Sequence, residues 1–342
     1  MISLIIPTTS KNRNYTNNIV DNIKSLYNDS VEIIVEENDT VTLGENYNNA
    51  VGRATGEKII LLHNDMILSP GFIETMDKHI QPGRITTYTR VEPPIFNDTY
   101  PGKILLDCGT ELENFDHDRF VNNKLSYDLI DGGSQLFFGC MREDYIGIDG
   151  YTFKMFCEDD DLHRRYRLLG FEHKVSCAQV YHFVSKTSRS ESNYQQIELA
   201  SNRNYIRKWG TKSNAPKYNI GIQITNCNIK ILELFEPYCD RIYIDDDMQV
   251  LTTHYIDSEQ SKTKFDLTKR IMTTAYNNPY DYDDIVVEVD AKRITQQDAA
   301  HIFLLPQIIQ ESGEIGTFQL GNLQITINRI ETYEATLIKL RS

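Results

Sequence analysis

The order of apolar runs and polar stops in the first eighty residues constrains this chain most. Ser3–Pro7 is an apolar run stopped by Pro7-Thr8-Thr9-Ser10, and Val31–Val35 is a second, stopped by Glu36-Glu37-Asn38-Asp39. Lys58–Leu62 is a third, ended by His63-Asn64-Asp65. Between and after them, Thr16–Tyr27, Leu43–Arg53 and Phe72–His79 carry helical spacing. Strand, helix, strand, helix, strand at these intervals predicts a parallel sheet with crossover helices. Such sheets bind ligands beyond the carboxyl ends of their strands. Here every one of those ends carries hydroxyl, acidic or imidazole groups.

The second informative feature is the run Phe156-Cys157-Glu158-Asp159-Asp160-Asp161-Leu162. Four adjacent carboxylates stand before the spacing Leu162, Tyr166, Leu169, which predicts one face of a short helix with its C-terminal cap at Gly170. A helix N-terminus offsets part of that charge, and a metal ion or a proton offsets more. Asp160 and Asp161 read as capping or Arg-pairing residues, with Arg164 and Arg165 in reach.

Between these motifs the reading is coarser. Ile85–Asn97 and Lys103–Leu112 read as irregular strands and loops, and Glu191–Lys208 as a long polar helix ending at Trp209-Gly210. The polar stretch Thr211–Lys217 reads as a domain junction, giving domains 1–212 and 213–342. The second shows strand Tyr218–Thr225, helix Ile229–Tyr238, strand Arg241–Asp245, strand Asp284–Val289, helix Gln296–Glu311 and further strand over Glu314–Ile327. That pattern predicts a smaller α/β layer, serving subunit contact in a homo-oligomer or one wall of an acceptor cleft. Asp245-Asp246-Asp247 follows a strand and reads first as a solvated turn, with a metal or ribose contact as the alternative.

The chain carries 35 Lys and Arg against 49 Asp and Glu, a net charge of −14, and both parts are acidic. That argues against nucleic acid as a main partner, because phosphate binding needs a basic footprint. No stretch approaches the roughly 20 apolar residues of a membrane span. The apolar run at Ile2–Ile6 is too short for a signal peptide and lacks a basic segment before it. Six cysteines show no CxxC spacing, as expected of free thiols in a reducing compartment. These features together predict a cytoplasmic protein.

Taken in order, the segments resemble the inverting family 2 glycosyltransferases of the GT-A fold over about residues 1–210. Ser3-Leu4-Ile5-Ile6-Pro7-Thr8 is similar to that family's opening strand, and Glu32–Asn38 to its second, with Glu37 where the family has Asp. Asn48-Asn49-Ala50-Val51 and Ala54-Thr55-Gly56-Glu57 resemble the helix and turn before its metal strand. Ile59–Asp65 resembles the strand carrying the Asp-x-Asp motif, with His63 at the first acid and Asp65 at the second. Glu158-Asp159, Asp161-Leu162, Arg165 and Gly170-Phe171 are similar to its acidic helix start, and Val180-Tyr181-His182 to its later histidine. Asn204-Tyr205 with Lys208-Trp209-Gly210 resembles the end of its catalytic domain.

The resemblance implies a transferase that moves a sugar from a nucleotide-diphosphate donor, UDP by default, to a glycan or other acceptor hydroxyl by single displacement. It implies Asp159 as general base with Glu158 beside it, and Pro7, Thr8, Thr9, Glu37 and Asn64 around the nucleoside. It implies Mn²⁺ or Mg²⁺ held by Asp65, with His63 and His182 as candidate ligands. Two alternatives stay open. One is an inactive nucleotide- or glycan-binding module of the same fold. The other is a bifunctional chain whose second half, which faintly resembles a Rossmann-type methyltransferase, also works, although its glycine-rich turn is missing and Gly221 stands alone.

Overall fold

The computed structural model describes residues 1–28, 30–133, 137–153, 156–184 and 194–338. The chain divides into two compact units, Met1–Gln195 and Gln196–Ser342. The first opens β1 (Ile2–Thr8), α1 (Arg13–Tyr27), β2 (Glu32–Glu37), α2 (Leu43–Arg53), β3 (Lys58–Leu61), β4 (Met66–Leu68), α3 (Phe72–His79) and β5 (Arg84–Glu92). It continues through β6 (Lys103–Leu105), α4 (His117–Val121), β7 (Leu129–Asp131), β8 (Phe138–Met141), α5 (Arg142–Gly147), α6 (Glu158–Leu168) and β9 (Glu172–His182).

These strands form a mixed sheet in the order β2-β1-β3-β8-β5-β9-β4, with β6 beside β5 and β7 beside β9. β1 is parallel to β2 and β3, as the alternation predicts, and the whole of β1 is buried. Ile6, Ile19, Ile23, Phe72 and Met76 fill the core on the α1 and α3 face. Ile5, Tyr47, Ala50, Val51, Leu162 and Tyr166 fill the opposite side with α2 and α6. Burial of alternate β1 side chains against helices on both faces is what makes its sequence read as a continuous apolar run.

Ile85–Glu92, expected within irregular strands and loops, lies in one strand, β5, and is buried throughout. Its composition, Ile-Thr-Thr-Tyr-Thr-Arg-Val-Glu, hides a central strand because its polar side chains find partners inside. Thr86 Oγ1 donates to His79 O at 3.1 Å, Tyr88 Oη to Leu61 O at 2.7 Å and Thr89 Oγ1 to Ser176 O at 2.8 Å.

α6 ends as its sequence predicts. Gly170 takes φ +78°, its N–H reaches Arg167 O at 3.0 Å, and Phe171 N–H reaches Tyr166 O at 3.1 Å. That is the paired closure of a helix whose terminal residue is left-handed. Leu162 and Tyr166 are fully buried, but Leu169, expected on the same face, is 45% exposed because it has already left the helix as the cap. Space around Gly170 is open, so the cost of a side chain there is backbone strain alone. Gly170→Ala is expected to lower unfolding free energy by about 1 kcal/mol, with Gly170→Asn losing less, read by denaturant titration.

The second unit contains α7 (Tyr194–Trp209), β10 (Ile220–Thr225), α8 (Ile229–Phe235), β11 (Arg241–Ile244), α9 (Gln249–Glu259), α10 (Leu267–Arg270), β12 (Ile271–Thr273), β13 (Ile285–Asp290), α11 (Gln296–Ser312), β14 (Gly316–Leu320), β15 (Leu323–Ile327) and α12 (Glu334–Leu337). Residues 191–193 of the helix expected over Glu191–Lys208 lie outside the described residues. The sheet runs β12-β11-β10-β13-β15-β14, with the first four strands parallel and the last two an antiparallel hairpin. α7 belongs to this unit, whereas the sequence reading closes the first domain after it. The reason is ionic: Arg207 on α7 pairs with Glu236 at 2.7 Å and with Glu259 at 2.9 Å.

Gly221 lies inside β10, where a side chain would meet Asp283, so it is a strand glycine and not a phosphate-binding turn. Asp245 and Asp246 accept backbone N–H groups from Asn226 at 3.1 Å and Ala275 at 3.2 Å, which accounts for them as turn anchors.

Candidate functional site

The site grows from the carboxyl end of β3. The chain leaves β3 at Leu61, turns through His63, Asn64 and Asp65, and re-enters the sheet at β4. β4 runs antiparallel to β9 with Met66 opposite His182, and Phe183 N–H bonds Asp65 O at 3.0 Å. This pairing delivers His182, 117 positions downstream, to Asp65. His182 Nε2 lies 3.4 Å and His63 Nδ1 4.0 Å from Asp65 Oδ1. One nitrogen of each histidine and one oxygen of Asp65 lie within 4.8 Å of one another. Among the described residues this is a group that could hold a metal ion: two histidines and a carboxylate, buried at Asp65 and His182.

β5 completes the group. Val91 pairs with Tyr181, so the next residue, Glu92, meets His182, and its Oε1 lies 2.7 Å from His182 Nδ1. A bulge sets this register: Tyr88 faces Ser176, but Thr89 faces Gln179. Without the two extra residues of β9, Glu92 would face Val180. Because the shift is two residues, it keeps the same side chains on the same face. Arg90 Nη1 lies 3.3 Å and Lys103 Nζ 3.4 Å from the Glu92 carboxylate. Phe137 packs edge-on against His63 at 4.7 Å and His182 at 5.2 Å.

Electrostatics sort these groups. Burial disfavours an imidazolium at His182, but Asp65 and Glu92 outweigh it and raise its pKa to about 9. Burial also works against charge on Glu92, and His182, Arg90 and Lys103 more than offset it, holding that carboxyl at about 2. His63 goes the other way: burial lowers its pKa against the pull of Asp65, although 24% of its side chain reaches solvent. Neutral imidazole at His63 leaves a nitrogen lone pair free for a cation.

Asp159 is positioned from the other face. Asn48 on α2 donates to Tyr151 O at 2.7 Å, and its Oδ1 accepts from Tyr151 N at 3.0 Å and Tyr145 Oη at 2.7 Å. Gly150, at φ +55°, leaves room for that Asn48 oxygen, which a Cβ would meet at 2.4 Å. Arg165 on α6 bonds Asp161 at 2.8 Å, Gly150 O at 2.5 Å and Ile148 O. Asp161, also bonded by Thr152 at 2.7 Å, is therefore a buried pairing residue. The chain enters α6 through two left-handed non-glycine residues, Phe156 and Cys157, both at φ +60°. Strained backbone of this kind persists only where surrounding contacts hold it.

At the helix start Glu158 is buried, its Oε2 has no hydrogen-bond partner, and Asp159 keeps partial exposure. Burial raises both carboxyl pKa values, with Asp159 adding to the rise at Glu158 and Asp160 to the rise at Asp159. The two halves of the site act on the same side chains. Tyr47 feels the charges of Glu158 and Asp65, and Arg90 those of Glu92 and Asp159.

The expected nucleoside residues lie at the neighbouring strand ends. Pro7 and Thr8 are buried in β1, and Thr8 pairs in register with Glu37. Asn64 is buried and donates to Thr8 Oγ1 at 3.0 Å. Thr9 is half-buried, and Glu37 is exposed, its carboxylate gripped by Arg13 at 2.5 Å. Sequence reasoning did not single out Arg90 or Glu92, because β5 reads as part of irregular strands and loops, nor Lys103 in β6 or Phe137 just before β8. The usable signal was two opposite charges alternating through a Thr- and Tyr-rich run.

Residues 5–145 match the model of Glycosyl transferase family 2. The matched stretch runs from β1 into α5 and makes this part of the mixed α/β sheet similar to that family. The match ends before Glu158, Asp159 and His182. No curated protein matches the chain. Among solved structures, one titled "Crystal structure of GalNAc-T7 with UDP, GalNAc and Mn2+" is similar over 60% of this chain at 12% identity, with a TM-score of 0.39. This chain spans 48% of that one. Among the described residues, no helix is long and apolar enough to cross a membrane.

Proposed function

We propose that the first unit transfers a sugar, with inversion, from a nucleotide-diphosphate donor, UDP by default, to the hydroxyl of a glycan or other acceptor. The observation that carries this reading is the neighbourhood of two groups, the His63–Asp65–His182 donor set and the raised carboxyl of Asp159: the charge of Arg90 bears on His63, and the charge of Asp159 bears on Arg90. Asp159 takes the acceptor proton as the acceptor oxygen bonds to the anomeric carbon. The bond from that carbon to the diphosphate breaks in the same displacement. A base in this role works best with its pKa moved toward the operating pH, the direction in which burial moves Asp159.

The donor set fits a divalent cation. Two imidazoles and one carboxylate suit Mn²⁺ better than Mg²⁺, which prefers oxygen alone. Glu92 on the far nitrogen of His182 fixes that ring, an arrangement that orients metal-binding histidines. When bound, the ion supplies positive charge against the departing diphosphate. Pro7, Thr8, Thr9, Glu37 and Asn64 border the nucleoside side, with the Asn64–Thr8 bond closing its floor.

A panel of sugar nucleotides tests the reading. With Mn²⁺, at least one donor is expected to be turned over by the intact chain and to raise its melting temperature, since a ligand at 100 times its Kd adds about 2.7 kcal/mol. Chelation and Asp65→Ala are each expected to remove both effects. A chain that no donor stabilises and that turns over none contradicts the proposal. Stabilisation without turnover would mark a binding module instead.

A further inference from the structure

Arg90 is 97% buried, yet its Nε and Nη2 find no hydrogen-bond acceptor. Among the described residues Nη1 alone is engaged, 3.3 Å from Glu92. The guanidinium face is covered, by the Phe137 ring at 4.3 Å and the Tyr100 ring at 5.4 Å. Ring contacts satisfy the face of a guanidinium and leave its N–H edge wanting an acceptor. Leaving two donor nitrogens of a buried cation unpaired is costly, and a bound ion or ligand is one way such groups are completed. Arginine's fixed fork matches two oxygens of a phosphate or a carboxylate.

The position narrows the choice. Arg90 stands beside Glu92, which orients His182 of the donor set, and it lies within electrostatic reach of Asp159. On the reading proposed above, the group that passes between a metal-held diphosphate and a general base is the donor. We propose that Arg90 is the receptor for an anionic group of that donor, taking two oxygens either of its diphosphate or of a carboxylate on the transferred sugar. This inference rests on the proposed function, and its test separates the two.

Calorimetric titration of UDP, UDP-glucose and UDP-glucuronate into the intact chain with Mn²⁺ distinguishes the sources. Arg90→Lys and Arg90→Gln keep a donor and a stem in the slot, and circular dichroism establishes that each is folded. If the oxygens are those of the diphosphate, both variants weaken all three ligands at least tenfold. If they are those of a sugar carboxylate, wild-type protein prefers UDP-glucuronate to UDP-glucose at least tenfold, and the variants lose only that preference. Affinities within twofold of wild type for all three ligands would overturn the inference. Should wild-type protein bind none of them, the proposed function fails, and inorganic pyrophosphate and glucuronate become the probes. Binding of either by wild type and its loss in Arg90→Lys still supports an anion receptor, while no difference overturns it.

Discussion

Asp159→Asn is expected to lower the transfer rate about a thousandfold, within the range of general-base catalysis, while leaving Mn²⁺-dependent nucleotide affinity within about twofold. The amide keeps the shape and loses the proton acceptor. Its neighbours are held by other residues: the α6 entry is fixed by Asp161–Arg165 and by Asn48 bonding to Tyr151, so the helix start should not move. The pH profile gives a second reading. A base must be ionised to act, so the wild-type rate rises with pH through the Asp159 pKa and then levels. Burial, with Asp160 as the next cause, sets that limb above the ordinary aspartate range. Asp160→Asn removes one raising charge and is expected to shift the limb to lower pH. Asp159→Asn removes the limb. Equal losses of affinity and rate in Asp159→Asn would show a structural carboxylate instead.

Glu236→Gln is expected to destabilise the second unit by about 3–5 kcal/mol, the scale for breaking a buried ion pair from one side. Glu236 is fully buried. Arg207 grips both its oxygens, with Nη2 at 2.7 Å, Arg270 Nε lies 2.8 Å away and Tyr255 Oη donates at 2.9 Å. Removing the charge leaves those guanidiniums short of a counter-ion. Burial alone would raise the Glu236 carboxyl, but Arg270 and Arg207 outweigh it and hold its pKa at about 2. A depressed carboxylate stabilises the folded state above its unfolded value of 4.5 and loses that contribution as pH falls toward about 2. The shift corresponds to roughly 3 kcal/mol. Denaturant unfolding from pH 7 to 2.5 should therefore show a steep loss in wild type and a shallower one in Glu236→Gln. Parallel curves would mean that the carboxylate is not the titrating group.

Sequence periodicity located the elements that stand on alternation and caps. Leu43–Arg53, Phe72–His79 and the cap at Gly170 fall where their spacing and turn chemistry place them. The placement of Asp65 past a strand end and of Glu158 and Asp159 at a helix start was legible, because charge beside an apolar run marks where an element stops or begins. β5 was not legible. Its Arg90 and Glu92 look like surface residues in the sequence, and only pairing with β9 across ninety positions shows that they neutralise each other and His182 inside. The bulge at Thr89 has no sequence signature, although it sets which β9 residue meets Glu92. α7 was legible as a helix, but its allegiance depends on Arg207 and Arg203 reaching Glu236 and Glu259, far along the chain.

The most direct measurement is electron–nuclear double resonance of Mn²⁺ bound to the full chain with UDP, using protein labelled with ¹⁵N-histidine. Phosphorus coupling from the diphosphate is expected together with nitrogen coupling from imidazole. The nitrogen signal should diminish in His63→Ala and in His182→Ala, and Asp65→Ala should lose the bound ion. Phosphorus coupling without any histidine nitrogen, unchanged by Asp65→Ala, would place the ion elsewhere and contradict it.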